Sequence, residues 1–338
     1  MAPKIKDVAR KAGVSVTTVS RVLNGERYVK DDMKEKVNRA IAELGYTPSH
    51  IARSLVRKKT NLIGVIIPDI TSSFYSTILS NIETTASLND YNLMVCNIVE
   101  DADKELNYLQ MCKEMRVDGI IIMHEKMNDD IREFIRKIDV PIIFSSVKPV
   151  DQDHVSVIID DYAAAYEATR YLIELGHERV ALIGGDMRDV TSGQNRYIGY
   201  LRALADSGIP VDERYIRFGD YKTTSGYELM KEIVACDPRP TAVFAVSDDM
   251  AVGAMNCLHD LGMKVPEDLS VMGFDGSLLT ELVRPRLSSM EQPIRELGKV
   301  TVDALLAMID GKENRPREDI ILGHKLAARE SCKPYRSS

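Results

Sequence analysis

Apolar residues recur at helical spacing near the start of the chain. Ile5, Val8, Ala9 and Ala12 lie at positions i, i+3, i+4 and i+7 and form one apolar stripe. Gly13 follows this stripe, and glycine readily adopts the left-handed conformation in which many helices end. The pattern predicts a first short helix that ends at this glycine.

Two further short helices follow in the same region. Ser15 is a suitable cap for a helix over Val16–Leu23, and Asn24-Gly25 is a turn signal. A third apolar stripe ends before Gly45. Short helices joined by a tight turn that contains glycine are typical of a helix-turn-helix. We therefore predict an all-α head over residues 1–47 and, because Pro48 breaks the third helix, a short basic hinge over 48–60.

From Asn61 onward, short apolar β-rich runs alternate with helical stretches. This rhythm is typical of parallel sheets that are covered by helices on both faces. It occurs twice, since LIGVIIPD (62–69) opens one series and RVALIGGD (179–186) opens another. We predict an α/β body over 61–331, built from two doubly wound parallel-sheet lobes. The boundaries are about 61–160 with 291–320 for the first lobe, and about 161–290 with 321–331 for the second.

The body should carry its ligand between the lobes. Doubly wound sheets place their ligand-facing loops at the carboxyl ends of the strands. A cleft between two such lobes is a natural site for a small molecule.

The charge of the chain is unevenly distributed. Residues 1–60 hold 14 Lys+Arg against 6 Asp+Glu, whereas the remaining 278 residues hold 30 against 45. A basic head on an acidic body indicates a head that binds a polyanion such as DNA.

Several other classes of protein are disfavoured. The five cysteines are scattered, which fits free thiols in a reducing compartment. The N-terminal residues form no signal peptide, and no apolar run is long enough to span a membrane, so we expect a cytoplasmic protein. Metal-ligand spacing, Walker loops, GxGxxG and GxSxG are absent, so we expect no metal, no cofactor and no enzymatic activity.

The residues resemble those of one known family. The resemblance rests on IKDVARKAGVSVTTVSRVLNG (5–25), KEKVNRAIAELGYTPSHIARSL (34–55), LIELGHERVALIGG (172–185) and VPEDLSVMGFD (265–275). These segments look like the head, hinge and body of the LacI/GalR family of transcription regulators. The resemblance implies a periplasmic-binding-protein type of body and a homodimer on a pseudo-palindromic operator.

The resemblance also implies a set of DNA-contacting residues. Thr17 and Arg21 would face base edges beside Val16, which agrees with the ability of Arg to pair bidentately with guanine. Leu55 would wedge into the minor groove beside Ala52, where Val56 departs from the Ala that is common in the family. The complete expected set is Lys4, Ile5, Ser15, Val16, Thr17, Thr18, Ser20, Arg21, Asn24, Tyr28, Val29, Ser49, Ala52, Leu55 and Val56.

The same resemblance points to residues that bind an effector in the cleft. Arg196 and Asp275 could grip hydroxyls or a phosphate through charge-assisted hydrogen bonds, or could instead form an internal ion pair. Ser247 and Asp248 match a position where sugar-sensing relatives often carry Asn-Asp. The expected set is Asp69, Phe74, Tyr75, Asp160, Arg196, Ser247, Asp248 and Asp275.

Three functions remain open on sequence grounds. The first is a repressor controlled by a sugar or related metabolite. The second rests on LVRPRLSS (282–289), which resembles the catabolite-control-protein branch of the family. The resemblance implies a catabolite-control regulator that needs a phosphorylated carrier protein, with Arg284 as a partner for phosphoserine unless it is a loop arginine in a local ion pair. The third is a solute-binding or enzymatic body with an accidental head, which the missing export signal and catalytic motifs disfavour.

Overall fold

The computed structural model describes residues 3–23, 29–46, 59–99, 101–149, 154–313 and 315–335. The chain divides into two compact units, Met1–Asn61 and Leu62–Ser338. Hinge residues 48–58 lie outside the described residues, so the predicted hinge stays a prediction.

In its described residues, the first unit is a small bundle of three helices. They are α1 (Ile5–Ala12), α2 (Val16–Leu23) and α3 (Asp31–Leu44). Gly13 ends α1 with a φ of 66°, in the left-handed region that glycine tolerates best. The apolar stripe of α1 meets α2 and α3 in a core of Val8, Ala9, Val19, Val37 and Ala40. This packing confirms the predicted all-α helix-turn-helix head.

Over the residues that the structure describes, the second unit contains two six-stranded sheets, each with its own helices. We call the half around the first sheet the N lobe and the half around the second sheet the C lobe. The N lobe contains β1 (Leu62–Ile67), α4 (Ser73–Leu88), β2 (Asn92–Asn97), α5 (Ala102–Glu114), β3 (Gly119–Ile122), α6 (Asp129–Lys137), β4 (Ile142–Ser145), β5 (Ser156–Ile159), α12 (Ile294–Ile309) and β11 (Ile320–Leu322). Its strand order is β11-β5-β4-β3-β1-β2.

The C lobe is built on the same plan. It contains α7 (Asp161–Glu174), β6 (Val180–Gly184), a π-type turn (Val190–Gln194), α8 (Asn195–Asp206), a 3₁₀ turn (Glu213–Tyr215), β7 (Ile216–Phe218), α9 (Thr223–Val234), β8 (Ala242–Ala245), α10 (Asp248–Asp260), β9 (Ser270–Asp275), α11 (Leu279–Leu282), β10 (Ser288–Glu291) and β12 (Lys325–Ala327). The strand order is β12-β10-β9-β8-β6-β7; among the described residues, β10 and β12 pair antiparallel and the other neighbours pair parallel. The two doubly wound lobes confirm the predicted α/β fold class.

Each sheet is buried because helices cover both faces. In β1, Ile63, Val65 and Ile67 pack on the side of α4 and α12, whereas Ile66 packs on the side of α5 and α6. Alternate side chains of a strand point to opposite faces, so both faces of this strand have to be apolar.

The chain passes between the lobes three times. It leaves the N-lobe sheet after Ile159, returns to the N lobe with Ile294, and leaves again after Leu322. Neither lobe is therefore a continuous stretch of sequence, and the loops at the carboxyl ends of the two sheets belong to one unit.

Candidate functional site

The second helix of the head exposes the residues that the sequence analysis assigned to DNA. Ser15 caps this helix, since its Oγ accepts a hydrogen bond from the Thr18 backbone N–H at 3.0 Å. Val19 points into the head core. Val16, Thr17 and Arg21 lie on the exposed side, and the four-residue spacing of Thr17 and Arg21 places them on the same helix face.

The other expected DNA contacts occupy different environments. Lys4 is exposed at the start of α1, and Ile5 packs against the head core. Ser20 is partly buried and Val29 is 8% exposed. The remaining six, which lie outside the described residues, are Asn24, Tyr28, Ser49, Ala52, Leu55 and Val56.

A cavity of about 400 Å³ lies between the two lobes of the body. The N lobe lines it with the loops after β1, β2, β3 and β4 and the start of α4. The C lobe lines it with the loops after β6, β7, β8 and β9 and the start of α8. The cavity therefore sits at the carboxyl ends of both sheets, where doubly wound folds place their ligands.

Six of the eight residues expected to bind the effector line this cavity: Asp69, Phe74, Tyr75, Arg196, Ser247 and Asp275. Asp160 instead caps α7 by accepting a hydrogen bond from Ala163 N at 2.9 Å. The Asp248 carboxylate accepts hydrogen bonds from Ser277 N at 2.6 Å and Ser289 Oγ at 2.7 Å. Neither Asp160 nor Asp248 is among the lining residues, and their effector roles stay predictions.

Arg196 both lines the cavity and holds the C lobe together. Its Nε donates to Asp161 Oδ1 at 2.7 Å, and its Nη1 donates to the Val246 carbonyl at 2.6 Å. Nη1 also lies 3.5 Å from Asp275 Oδ1, and the guanidinium stacks on the Phe274 ring at 3.8 Å. The internal ion pair considered for Arg196 is thus present, and it holds the charged head at the cavity wall.

Acidic side chains outnumber lysine and arginine in the cavity wall. The acidic lining residues are Asp69, Glu125, Asp189, Asp220, Asp249 and Asp275, against Lys126, Arg196 and Lys222 as lysine and arginine. Burial raises the pKa of Asp275 well above its ordinary value, and the Arg196 charge only partly opposes this. Burial also raises the pKa of Asp189 and of Asp249. Such a wall disfavours an anionic ligand more than a neutral one.

Tyrosines supply polar groups without charge. Burial raises the pKa of Tyr75 and of Tyr221 far above the physiological range, so both remain neutral phenols. The Tyr221 hydroxyl lies 3.0 Å from Ser192 Oγ. Phe74 packs edge-on against Tyr75 with ring centroids 5.3 Å apart. The cavity thus combines aromatic surface with hydroxyl groups, which suits a ligand that has both apolar faces and hydroxyls.

Hydrogen bonds connect the two lobes beside the cavity. Glu125 of the N lobe accepts from the Thr191 backbone N–H at 3.0 Å and from Thr191 Oγ1 at 2.7 Å. Lys126 Nζ lies 3.0 Å from Asp186 Oδ2 and 3.4 Å from Asp189 Oδ1. These contacts hold the lobes in their present arrangement.

Several lining residues were missed by the sequence analysis. Glu125, Ser146 and Tyr221 each follow a strand directly or within three residues. Their position after a strand is a usable signal, because doubly wound sheets carry their ligand-facing loops at the carboxyl ends of the strands.

Arg284, the expected partner of phosphoserine, is exposed in the loop after α11. Its Nη1 donates to the carbonyls of Glu281 at 2.9 Å and Val283 at 2.8 Å. The side chain is therefore bonded within its own loop.

Across the described parts of the chain, His, Cys, Asp and Glu side chains form no group of three arranged to hold a metal ion. Within the same residues, every helix is too short or too polar to cross a lipid bilayer.

A helix-turn-helix head followed by a two-lobed, periplasmic-binding-type body defines a class of transcription regulators with an effector-binding domain. Comparison with known proteins agrees in both parts. Residues 4–49 match the family described as bacterial regulatory proteins, lacI family. Residues 60–330 match periplasmic binding proteins and sugar binding domain of LacI family. The chain belongs to the LacI family and is a DNA-binding transcriptional regulator, not an enzyme.

Full-length relatives support this assignment. The chain is 38% identical to HTH-type transcriptional regulator RegA of Clostridium saccharobutylicum, over 98% of this chain and 99% of that one. It is 39% identical to catabolite control protein A of Priestia megaterium, over 97% and 99%. A lac repressor dimer bound to operator and the anti-inducer ONPF is similar in structure, with a TM-score of 0.87, 28% identity, and coverage of 98% and 100%.

Proposed function

We propose that the protein is a repressor that binds a pseudo-palindromic operator as a homodimer, and that an uncharged sugar or related metabolite controls it from the interlobe cavity. The main support for this proposal is the cavity of about 400 Å³ between the lobes of a DNA-binding regulator. Ligand binding at that position changes DNA affinity if the two lobe arrangements differ in their affinity for the ligand.

The chemistry of the cavity supports a neutral ligand. Buried carboxylates line both walls, and the Arg196 guanidinium is already bonded to Asp161 and Val246. A ligand phosphate would therefore have to compete for that guanidinium while facing Asp189, Asp249 and Asp275. Hydroxyl groups can donate to the same carboxylates, so a polyhydroxyl compound is favoured.

An exposed apolar surface on the N lobe supports the homodimer. Met111 and Met115 lie four residues apart, within and directly after α5, and are 42% and 50% exposed. Exposed apolar side chains at this spacing share one helix face and are typical of protein–protein contacts. Two-fold pairing of the chain would present two heads to two half-sites of one operator.

The carrier-protein hypothesis remains the second candidate, because the relative at 39% identity is named catabolite control protein A. The bonds of Arg284 within its own loop do not favour this residue as the phosphoserine partner. The contact would require those bonds to be exchanged for a phosphate.

Selection from a pool of random DNA duplexes at about 0.15 M salt tests the function directly, since this salt suppresses non-specific attraction to phosphates. We expect enrichment of a pseudo-palindrome. Repeating the binding measurement with neutral sugars, sugar phosphates and a serine-phosphorylated carrier protein separates the two candidates. An effect of the carrier protein alone would contradict metabolite control, and no enrichment under any condition would contradict operator binding.

A further inference from the structure

Two polar side chains in the N-lobe wall of the cavity have a polar atom without a partner. His124 follows β3 and Ser146 follows β4, and these strands are neighbours in the parallel sheet. Both residues line the cavity. Among the described residues, His124 Nε2 and Ser146 Oγ belong to the buried side-chain atoms that make no hydrogen bond.

The other nitrogen of His124 is held from behind by a buried acid. His124 Nδ1 lies 3.0 Å from Glu105 Oε2 on α5, and the two residues are 7% and 0% exposed. A carboxylate accepts hydrogen bonds, so the Nδ1–H group donates to it. In the neutral ring, Nε2 is then a fixed acceptor.

The residue beside Ser146 shows what a purely structural serine does in this place. Ser145 is fully buried, and its Oγ is 2.9 Å from Thr301 Oγ1 on α12. Ser146 makes no such bond and has a φ of 63°, in the left-handed region. Unpaired buried polar atoms and left-handed backbone are both unfavourable, and functional sites are among the places where proteins retain them.

We propose that His124 and Ser146 form a hydroxyl-reading subsite for an uncharged polyhydroxyl ligand. One ligand O–H donates to His124 Nε2, and a second hydroxyl bonds to Ser146 Oγ. Glu105 is a positioning residue that fixes the tautomer of His124. This inference rests on the proposed metabolite-binding function and adds the groups that determine its specificity.

The adjacent serines provide a matched test in the full-length protein. Thermal unfolding without added sugar is compared for Ser146→Ala and Ser145→Ala, and calorimetry then measures the affinity for D-ribose, D-glucose and D-galactose. We expect Ser145→Ala to lower the Tm by breaking the Thr301 bond and to leave sugar affinity unchanged. Ser146→Ala should leave the Tm unchanged. Its affinity for the sugar that the wild type binds should fall by about tenfold, the usual loss for one hydrogen bond.

Imidazole nitrogen NMR tests the role of Glu105. In the wild type we expect the His124 spectrum to show the Nδ1–H tautomer, and in Glu105→Leu a mixture of both tautomers. The sugar affinity should fall in the same variant. A structural role for Glu105 alone would not move the tautomer balance of His124.

The outcomes separate this inference from the proposed function. A wild type that binds a sugar, with Ser146→Ala binding it equally well, overturns the subsite and leaves metabolite control intact. A fall in Tm of Ser146→Ala matching that of Ser145→Ala also overturns it, because Ser146 would then have a protein partner. A wild type that binds none of the sugars contradicts metabolite control, and the subsite fails with it.

Discussion

Arg196 is a charged residue buried in the wall of a binding cavity. Its guanidinium neutralises Asp161 and Asp275 and stacks on Phe274. Removing one partner of a buried ion pair leaves an uncompensated charge, which is usually more costly than the pair is stabilising. Arg196 therefore contributes both to the stability of the C lobe and to the charge of the cavity wall.

We expect Arg196→Leu to lower the free energy of unfolding by about 3–5 kcal/mol, because Asp161 and Asp275 lose their counter-charge. Urea unfolding followed by circular dichroism measures this change. Arg202→Leu on the same helix is the matched control, since its side chain is 60% exposed and pairs with Asp206 at the surface. The control should change stability by at most about 1 kcal/mol, and equal effects of the two variants would contradict the prediction.

In the head, Arg21→Ala should reduce operator affinity by about 1–3 kcal/mol and relax base preference at one position of each half-site. Arg21 is exposed on α2, so the fold of the head should be unchanged. Binding to the selected operator and to single-base variants, measured by fluorescence anisotropy, checks both effects. Arg39→Ala on α3 removes the same charge from another exposed position. If both variants lower the affinity for every DNA sequence equally, Arg21 acts only through its charge.

Neighbouring residues show where the candidate site could be predicted from sequence and where it could not. The family pattern located Ser247 and Arg196, which line the cavity. It also selected Asp248, whereas the following residue, Asp249, lines the cavity and accepts a hydrogen bond from Ser73 Oγ at 3.1 Å. Which residue of a first helical turn faces the cleft depends on how that helix packs against its sheet, and the sequence alone does not specify this orientation.

At the scale of elements, the loop after β3 and the π-type turn before α8 connect the two lobes. Glu125 accepts its hydrogen bonds from Thr191, and burial raises the pKa of the Glu125 carboxyl from 4.5 to about 7. The folded protein therefore holds this proton at pH values where the unfolded chain has released it. The stability contributed by Glu125 is complete below about pH 4.5 and is lost as the pH rises to about 7.

The contribution of Glu125 to the pH dependence of stability can be isolated with Glu125→Gln, because glutamine has nearly the same shape as glutamate and does not titrate. We expect the stability of the wild type relative to this variant to fall by on the order of 2 kcal/mol between pH 5 and pH 8. Urea unfolding at several pH values measures the difference, which also removes the contribution of other titrating groups such as Asp248. A difference that is constant with pH, or that increases, would show that Glu125 titrates near its ordinary pKa.

At the scale of the whole molecule, the sequence predicted the long central strands of the two lobes better than the short strands that complete each sheet. Long apolar runs such as Leu62–Ile67 and Val180–Gly184 are buried on both faces and were readable as strands. Strands β11 and β12 have three residues each and only partly buried or exposed side chains. β11 pairs with β5, more than a hundred residues away in sequence, and β12 pairs with β10, about 36 residues away. Such short strands depend on tertiary partners, so their own residues give little signal.

Pairing of two chains is the remaining prediction at this scale. We expect Met111→Asp together with Met115→Asp to convert the dimer to monomers at micromolar concentration and to reduce operator affinity at least tenfold, because each operator half-site would be bound separately. Analytical ultracentrifugation and anisotropy measure the two effects. Val211→Asp, at another residue with a 45% exposed side chain, is the control. A monomeric wild type would contradict the proposed homodimer, and a double variant that stays dimeric would place the contact elsewhere.

The three passages of the chain between the lobes restrict how this protein can be recombined with its relatives. The head is encoded by one continuous segment, so a single junction near Asn61 exchanges it with the head of another regulator. A lobe has no such junction, because β11 of the N lobe and β12 of the C lobe are separated by only two residues near the C-terminus. New operator specificity is therefore accessible through one crossover between genes, whereas a new lobe requires several. Cavities of this kind should diversify by point substitution at the strand ends.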